Sequence, residues 1–284
     1  MGRFLNYRHK ILAKRAAAPL RCLPPRPDPA ALPPVTVFIS SLNTRDALEL
    51  TLKSLAATTR YPRCRLWIGD NGSTDGSVEF LDDLARQIPM RLDKRPEARR
   101  HYLWLDEVHA SVDTPYWFAV DSDMLFLARD PLLDMVAVME RNPDVYLVAA
   151  EKREPEFGHP APVTGEPLDL GEAPSTWLMC VRTSLRDRLS VSFQDGVQSV
   201  NPETGRKFCY DTGGKLAHAM REAGLRYHYM PKWFQTTYQH FGGLSWSTKL
   251  EVIPDEEYQK AKQRQLAHIR ALAAADRRPI RFGY

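Results

Sequence analysis

The sequence predicts an α/β fold in which a mostly parallel sheet is flanked by helices. Three short runs, at residues 35–39, 66–69 and 116–120, are apolar on both faces, as expected for strands buried in a parallel sheet. The longer segments between them carry apolar residues at helical spacing. This alternation of strands and helices favours an α/β layer with right-handed crossovers.

The first half of the chain contains two strand–helix units before a third strand. The expected elements are, in chain order, a strand at 35–39, a helix at 47–55, a strand at 66–69, a polar turn at 70–76, helices at 78–88 and 97–112, and a strand at 116–120. Asn43 and Thr44 offer side chains suited to capping the first helix. In open α/β sheets ligands bind beyond the carboxyl ends of the strands, so functional residues are expected there.

The second half adds further elements around a long irregular segment. Expected here are a helix at 132–140, a strand at 145–149, a loop at 155–174, a strand at 177–181, a helix at 211–223, a strand at 225–230, a loop at 239–243 and a helix from Asp255. The loop at 155–174 is rich in Pro, Gly and acidic residues. Loops of this length inside a domain are usually lids or binding loops.

Composition divides the chain into three parts. Residues 1–34 are a basic, Pro-rich tail, residues 35–250 are one folded domain, and residues 251–284 are a C-terminal helix with a basic tail. The formal net charge is only +4, and the basic excess gathers at the two ends. We interpret these ends as solvated tails, with peripheral contact to an anionic membrane as the alternative and no nucleic acid partner.

Targeting signals are not evident in the sequence. No segment has the apolar length of a membrane span, and the first residues lack the pattern of a signal peptide. We therefore expect a cytoplasmic protein, at most peripheral at the inner membrane face. The four cysteines are widely spaced without a Cys-x-x-Cys pair, which indicates reduced structural thiols.

Two aspartates, Asp121 and Asp123, follow the apolar run at 116–120 directly. Carboxylates this close at the end of a buried strand repel each other unless a cation lies beside them. Mg²⁺ and Mn²⁺ prefer carboxylate and phosphate oxygens, so the pair predicts a divalent metal that acts as a Lewis acid on a departing diphosphate. The alternative is a plain turn after a strand, because Asp-x-Asp is common.

Three segments form a recognisable constellation: VTVFISSLN at residues 35–43, WIGDNGSTDGS at residues 67–77, and the Asp121-Ser122-Asp123 strand end. Together they resemble glycosyltransferase family 2, whose catalytic domain has the GT-A fold, a Rossmann-like α/β architecture. The likeness covers most of residues 35–248, and the run at 70–77 is its most specific piece. It implies inverting, metal-dependent transfer from a UDP, GDP or dTDP sugar to a hydroxyl of a glycan or other acceptor. Residues 35–150 would bind the donor and residues 151–250 the acceptor.

The resemblance also implies roles for individual residues around the nucleotide. The residues implied in cradling the base and ribose are Ser41, Asn43, Asp70 and Asn71. The family often has two acidic residues where this chain has Asp70-Asn71, and a Pro where it has Ser40. The alternative for residues 72–77 is a loop that caps the next helix through Asp75 or Ser77.

At the strand end, the resemblance assigns Asp121 to the ribose or to metal-bound water and Asp123 to the metal itself, with Ser122 between them in the donor site. His240 resembles the histidine that in several GT-A enzymes completes the metal shell, and neutral imidazole is a suitable ligand. The alternative for His240 is a packing or surface residue. Trp246, beside the glycine pair after His240, is a candidate for stacking on a sugar.

Asp211 begins a segment that looks like the family's aspartate at the start of a helix ending in Ala-Gly. By that match Asp211 is the catalytic base, which a poorly nucleophilic hydroxyl requires. An ordinary helix N-cap is the alternative. Tyr210 stands where the family usually has Glu.

Other classes remain open on sequence alone. A nucleotidyltransferase would need a Gly-rich loop with Arg and Lys after residue 39, which this chain lacks. A phosphatase of the haloacid dehalogenase type would carry its Asp-x-Asp pair on the first strand. A non-catalytic module that binds sugar nucleotides is the third alternative.

Overall fold

The computed structural model describes residues 23–128, 130–160, 165–190, 192–244 and 256–282. The first half follows the predicted alternation closely. Its elements are β1 (Val35–Ser41), α1 (Arg45–Thr58), β2 (Cys64–Asp70), α2 (Ser77–Ala85), β3 (Arg91–Lys94), α3 (His101–Ser111) and β4 (Tyr116–Asp121). The sequence did not predict β3, and α3 begins four residues later than expected because residues 97–100 precede it as a loop.

The second half contains more short strands than the sequence suggested. Its elements are β5 (Met124–Phe126), α4 (Pro131–Arg141), β6 (Val145–Ala149), β7 (Lys152–Arg153), β8 (Glu156–Pro160), β9 (Pro167–Leu170), β10 (Ala173–Pro174), β11 (Leu178–Arg182), β12 (Gly196–Val200), β13 (Lys207–Tyr210), α5 (Gly214–Glu222), β14 (Arg226–Tyr229), β15 (Tyr238–His240) and α6 (Glu256–Ala275). Short 3₁₀ turns occur at Pro29–Ala31, Thr183–Asp187 and Lys232–Thr237.

A seven-stranded sheet with the order β14-β6-β11-β4-β1-β2-β3 forms the centre of the molecule. Only β11 runs antiparallel to its neighbours, so the sheet is mostly parallel, as predicted. The register pairs Ser41 with Asp70 and Ser40 with Asp121. The carboxyl ends of β1, β2 and β4 therefore meet at one edge, beside the reversal of strand order where such sheets bind ligands.

Two apolar layers cover the sheet because side chains alternate along each strand. Val37 and Ile39 of β1 pack on one side with Leu48 of α1. Phe38 points the other way and packs with Trp104 of α3. Strands buried on both faces explain why the sequence of β1 is apolar throughout.

The segment at 155–174, which the sequence predicted as a loop, forms largely short strands where it is described, and residues 161–164 lie outside the described residues. β8 and β9 pair antiparallel, and β9 pairs parallel with β13 in a four-stranded sheet of order β12-β13-β9-β8. Asp169 is fully buried and accepts hydrogen bonds from Asn201 Nδ2 (2.6 Å) and Arg206 Nε (2.8 Å). The loop prediction was wrong because strands this short show no readable alternation between prolines.

Part of the predicted N-terminal tail packs on the domain. The side chain of Leu32 is buried, and Arg26 forms a two-bonded ion pair with Asp134 on α4, at 2.6 and 3.0 Å. The cysteines at 64, 180 and 209, the three that lie in the described ranges, are free and buried. Among the described residues, no helix combines the length and the apolar character that a membrane span requires.

Candidate functional site

A cavity of about 620 Å³ opens at the carboxyl edge of the central sheet. Its wall combines the ends of β1 and β4 with residues from the second half of the chain. Of the predicted site residues, the cavity is lined by Ser41, Asn71, Asp121, Ser122, Asp123, Asp211 and His240. One cavity therefore brings the two aspartates, the histidine and the predicted base together.

The turn that carries the two aspartates is held rigidly against α1. The backbone N–H of Asp121 donates to the Trp177 carbonyl at 3.0 Å. The buried hydroxyl of Ser122 lies 2.8 Å from the hydroxyl of Thr44. Thr51 donates to the carbonyl of Ser122 at 2.9 Å. The Ser122 side chain thus anchors the turn, while the two carboxylates flanking it reach the cavity wall.

His240 reaches this turn through strand pairing. The sequence predicted a loop here, but β15 runs antiparallel to β5, with His240 opposite Met124, the residue after Asp123. The N–H of Phe241 also donates to the Asp123 carbonyl at 3.0 Å. The loop prediction was wrong for residues 239–240, because a three-residue strand next to a glycine pair is too short to recognise, whereas residues 241–243 are irregular as predicted.

The imidazole of His240 faces both carboxylates. Its Nε2 lies 3.2 Å from Asp123 Oδ1 and 3.5 Å from Asp121 Oδ2. The atom is buried, and within the part of the chain that the structure describes it has no partner with hydrogen-bond geometry. One ligand atom from each of the three residues lies within 4.8 Å of the others, a grouping able to hold a metal ion. The ring stacks on Trp177, with 4.9 Å between the ring centroids.

The charges in this cluster are strongly coupled. Burial alone would lower the pKa of His240, but the carboxylates of Asp121 and Asp123 outweigh it and raise that pKa to about 10. Burial would raise the pKa of Asp121, yet His240 lowers it. Positive charge is therefore favoured beside the two carboxylates, whether on the ring or on a bound cation.

The residues predicted to bind the nucleotide base and ribose mostly hold the turns together. The carboxylate of Asp70 is buried, and its Oδ1 accepts from the N–H of Ser73 at 2.9 Å, whereas its Oδ2 has no partner among the described residues. Asn43 does not line the cavity; its Oδ1 accepts from the N–H of Thr74 at 2.7 Å. Ser41 lines the cavity, and its carbonyl accepts from Asn71 N at 2.8 Å.

The expectation that Asn43 or Thr44 caps the first helix with its side chain needs correction. Thr44 is the N-cap of α1, but neither it nor Asn43 caps the helix with its side chain. Instead Asp75, from the turn after β2, accepts from the N–H of Arg45 at 2.8 Å and with its other oxygen from Ser77 N at 3.1 Å. Asp75 thus joins the starts of α1 and α2.

The amide of Asn71 is committed within the protein. Its Nδ2 donates to the Arg99 carbonyl at 2.7 Å, and its Oδ1 accepts from Arg99 N at 2.9 Å and from Trp104 Nε1 at 3.1 Å. These bonds fix the segment before α3. Arg99, Arg100 and His101 consequently line the cavity.

Asp211 lies three residues before α5, whose N-cap is Gly213. The N-cap alternative for Asp211 is therefore wrong. Its Oδ1 accepts from Thr212 N at 2.8 Å, and its Oδ2 forms an ion pair with Arg153 of β7. Sequence reasoning missed Arg153 because this pairing depends on the small strands.

Two further cavity residues carried weak or no signals in the sequence. Trp177 stacks on the ring of His240, and its carbonyl accepts from the N–H of Asp121. Asp195 lines the cavity and pairs with Arg100 at 2.9 Å. Trp246, the predicted sugar-stacking residue, lies outside the described residues.

Comparison with known proteins gives one family. The model of the family described as Glycosyl transferase family 2 matches residues 36–199. No curated protein sequence is significantly similar to the chain.

Several solved structures are similar to this chain. The mannosyltransferase PcManGT from Pyrobaculum calidifontis, in complex with GDP-Man and Mn²⁺, has a TM-score of 0.52 and 18% identity, covering 97% of this chain and 84% of that chain. TarS of S. aureus has a TM-score of 0.48 and 14% identity, over 86% of this chain and 44% of that chain. Glucosyl-3-phosphoglycerate synthase of M. tuberculosis has a TM-score of 0.45 and 16% identity, over 80% and 84%. The predicted fold class is confirmed on the first of these.

Proposed function

Because this chain belongs to glycosyl transferase family 2, we propose that it moves a sugar from a nucleoside-diphosphate sugar to an acceptor hydroxyl. One observation carries the proposal. Asp121, Asp123 and His240 converge at a cavity of about 620 Å³ that Asp211 also lines. Such a site offers a cation for the donor diphosphate and a carboxylate for the acceptor proton.

The three converging residues are suited to Mn²⁺ or Mg²⁺. Two carboxylate oxygens and one imidazole nitrogen are ligands that Mn²⁺ accepts, and carboxylates also suit Mg²⁺. The buried Nε2 of His240 lies close to both carboxylates without an aligned hydrogen bond to any residue in the described ranges, which makes it an atom of the kind a metal would take. When bound, the cation would neutralise the nucleoside diphosphate as it departs.

Asp211 is the proposed general base. Its carboxylate would accept the proton of the acceptor hydroxyl while that oxygen attacks the anomeric carbon, and this single displacement inverts the configuration. The Thr212 N–H holds Oδ1, and Arg153 holds Oδ2. Acceptor binding must therefore share or displace Arg153 at Oδ2.

Donor and acceptor would be bound by successive parts of the chain. Residues 35–150 would bind the donor, since they contain the turn after β2 and the two aspartates. Residues 151–250 would bind the acceptor, since they contain Arg153 and Asp211. His240 crosses this division to complete the metal site. GDP-mannose and Mn²⁺, present in the mannosyltransferase of the same fold, are the first donor and metal to test.

The test is a thermal-shift screen of GDP, UDP and dTDP sugars with and without Mn²⁺, since a ligand of the folded state raises the melting temperature. Donor turnover is followed in parallel as release of nucleoside diphosphate. Asp123→Ala should abolish the Mn²⁺-dependent shift. Asp211→Asn should keep that shift and lose turnover.

Asp113→Asn is the matched control, because this carboxylate is 78% exposed and pairs only at the surface with Arg65. It should match the wild type in both measurements. Wild-type turnover in Asp211→Asn would refute the base assignment, and a Mn²⁺-dependent shift in Asp123→Ala would refute the metal assignment.

A further inference from the structure

The two carbonyl groups that follow His240 are held by side chains of α6. Gln265 Nε2 donates to the Phe241 carbonyl at 2.6 Å. Lys262 Nζ donates to the Gly242 carbonyl and, at 3.0 Å, to Gln265 Oε1. One turn of this helix therefore binds two consecutive peptide groups next to the histidine.

Apolar contacts reinforce this attachment. Phe241 and Leu244, which follow His240, are buried in one cluster with Ile269 of α6. Ala47 and Leu50 of α1 complete the cluster from the other side. The helix thus connects the segment after His240 to α1, which also supports the aspartate turn through Thr51.

The backbone after His240 needs such support. Gly242 and Gly243 both have φ of +65°, a region that glycine enters freely and that gives the chain little stiffness of its own. On the other side, the Phe241 N–H is fixed to the Asp123 carbonyl. Without the helix, the segment would keep this bond and its apolar contacts with α1, but its two carbonyl groups would lose their partners on α6.

The ammonium group of Lys262 also interacts electrostatically with the aspartate turn. Burial lowers the pKa of Lys262, and the nearby carboxylate of Asp123 opposes that effect. The family model ends at residue 199, so His240 and α6 both lie beyond the part of the chain it matches.

We propose that α6 is a positioning element for the metal site: Lys262 and Gln265 fix the peptide groups after His240 and so hold its imidazole against the carboxylates of Asp121 and Asp123. This inference rests on the proposed metal-dependent function. Partners that orient a metal-binding histidine typically change metal affinity by about 10-fold to 100-fold when removed.

The experiment measures Mn²⁺ affinity of the full chain without donor, by isothermal titration calorimetry. Lys262→Met combined with Gln265→Met removes both donors but keeps the side-chain volumes. We expect the Kd for Mn²⁺ to rise about tenfold. Lys262→Arg alone, which still donates, should keep the affinity for Mn²⁺ near the wild-type value. Lys260→Met is the matched control, because Lys260 lies on the same helix and pairs at the surface with Glu256.

A Kd within twofold of the wild type in the double variant, or an equal loss in Lys260→Met, would overturn the proposal. Where the double variant does not fold, Gln265→Met alone decides, with a threefold rise as the threshold.

A second readout separates this inference from the proposed function. In the metal-free protein, ¹⁵N-histidine NMR reports the ring of His240, identified by its loss in His240→Gln. Displacement of this signal in the double variant, with the other histidine signals unmoved, supports positioning even where Mn²⁺ does not bind the wild type. An unmoved signal contradicts positioning.

Discussion

Replacing Asn71 with Ala should break the link between the turn after β2 and the segment that precedes α3. The amide makes three hydrogen bonds, two to the backbone of Arg99 and one from the indole of Trp104. Trp104 is only 1% exposed, so its N–H would lose its partner where water has little access. The two backbone groups of Arg99 lie nearer the surface and can bind water instead.

The magnitude follows from these environments. A buried donor left without a partner costs about 1–3 kcal/mol, and each bond to the Arg99 backbone contributes about 0.5–1 kcal/mol. The free energy of unfolding should therefore fall by about 3 kcal/mol. For a chain of this size, each kcal/mol lowers the melting temperature by about 2 °C, so the expected decrease is about 6 °C.

Urea unfolding and calorimetry measure this loss, and donor titration of the same variant measures any effect on binding. Asn71→Asp is the informative second variant. It keeps an acceptor for Trp104 but turns a carboxylate oxygen toward the Arg99 carbonyl, so it should also destabilise the chain. This repulsion gives a physical reason why Asn stands where the family often has a second acidic residue. An Asn71→Ala protein that unfolds like the wild type but loses donor affinity would refute the argument.

Three further predictions concern residues around the site. Burial lowers the pKa of His109 from 6.5 to about 4. Between these pH values the unfolded chain binds more protons than the folded chain. The free energy of unfolding should therefore fall by about 3 kcal/mol as the pH drops from 6.5 toward 4. His109→Gln should flatten that part of the pH–stability curve measured by urea unfolding, and the exposed His268→Gln should not. Gly213→Ala should lower the free energy of unfolding by about 1–2 kcal/mol because the φ at this position is +83°. The loss should be larger because the added Cβ would lie 3.0 Å from a threonine side chain, and turnover should also slow. Gly224→Ala, with a φ of +68° and open space around the Cβ, should show only the backbone cost. Asp169→Asn should lower the melting temperature and open residues 156–207 to proteolysis, because an amide cannot accept from all four donors around it.

The central sheet was readable from the sequence because burial on both faces leaves a continuous signal. β1 and β4 are apolar at nearly every position, and each contributes to both layers. β3 escaped notice because it is a polar edge strand of four residues, Arg91–Lys94. Position in the sheet, rather than propensity, decided which strands could be recognised.

From the residue pattern itself, the site was readable where a strand end determined it, whereas Asp211 and His240 were predicted from resemblance. Asp121 and Asp123 follow a strand whose register carries them to the cavity edge. Arg153 gave no sequence signal, because its pairing with Asp211 depends on small strands that form only in the tertiary structure. The roles expected for Asn43 and Asn71 rested on resemblance, and the structure uses their side chains to hold turns together. Their part in donor binding stays a prediction.

The ligands of the proposed metal site are supported in two different ways. The two carboxylates come from a turn fixed by the sheet and by α1, within the residues that the family model matches. The imidazole comes from beyond residue 199, on a three-residue strand supported by Trp177 and α6. Changes in α6 would alter the third ligand more than the aspartates, because the aspartate turn has its own hydrogen bonds to Thr44 and Thr51. Metal affinity in this chain should therefore respond to substitutions in α6 independently of donor-side substitutions such as Asn71→Ala.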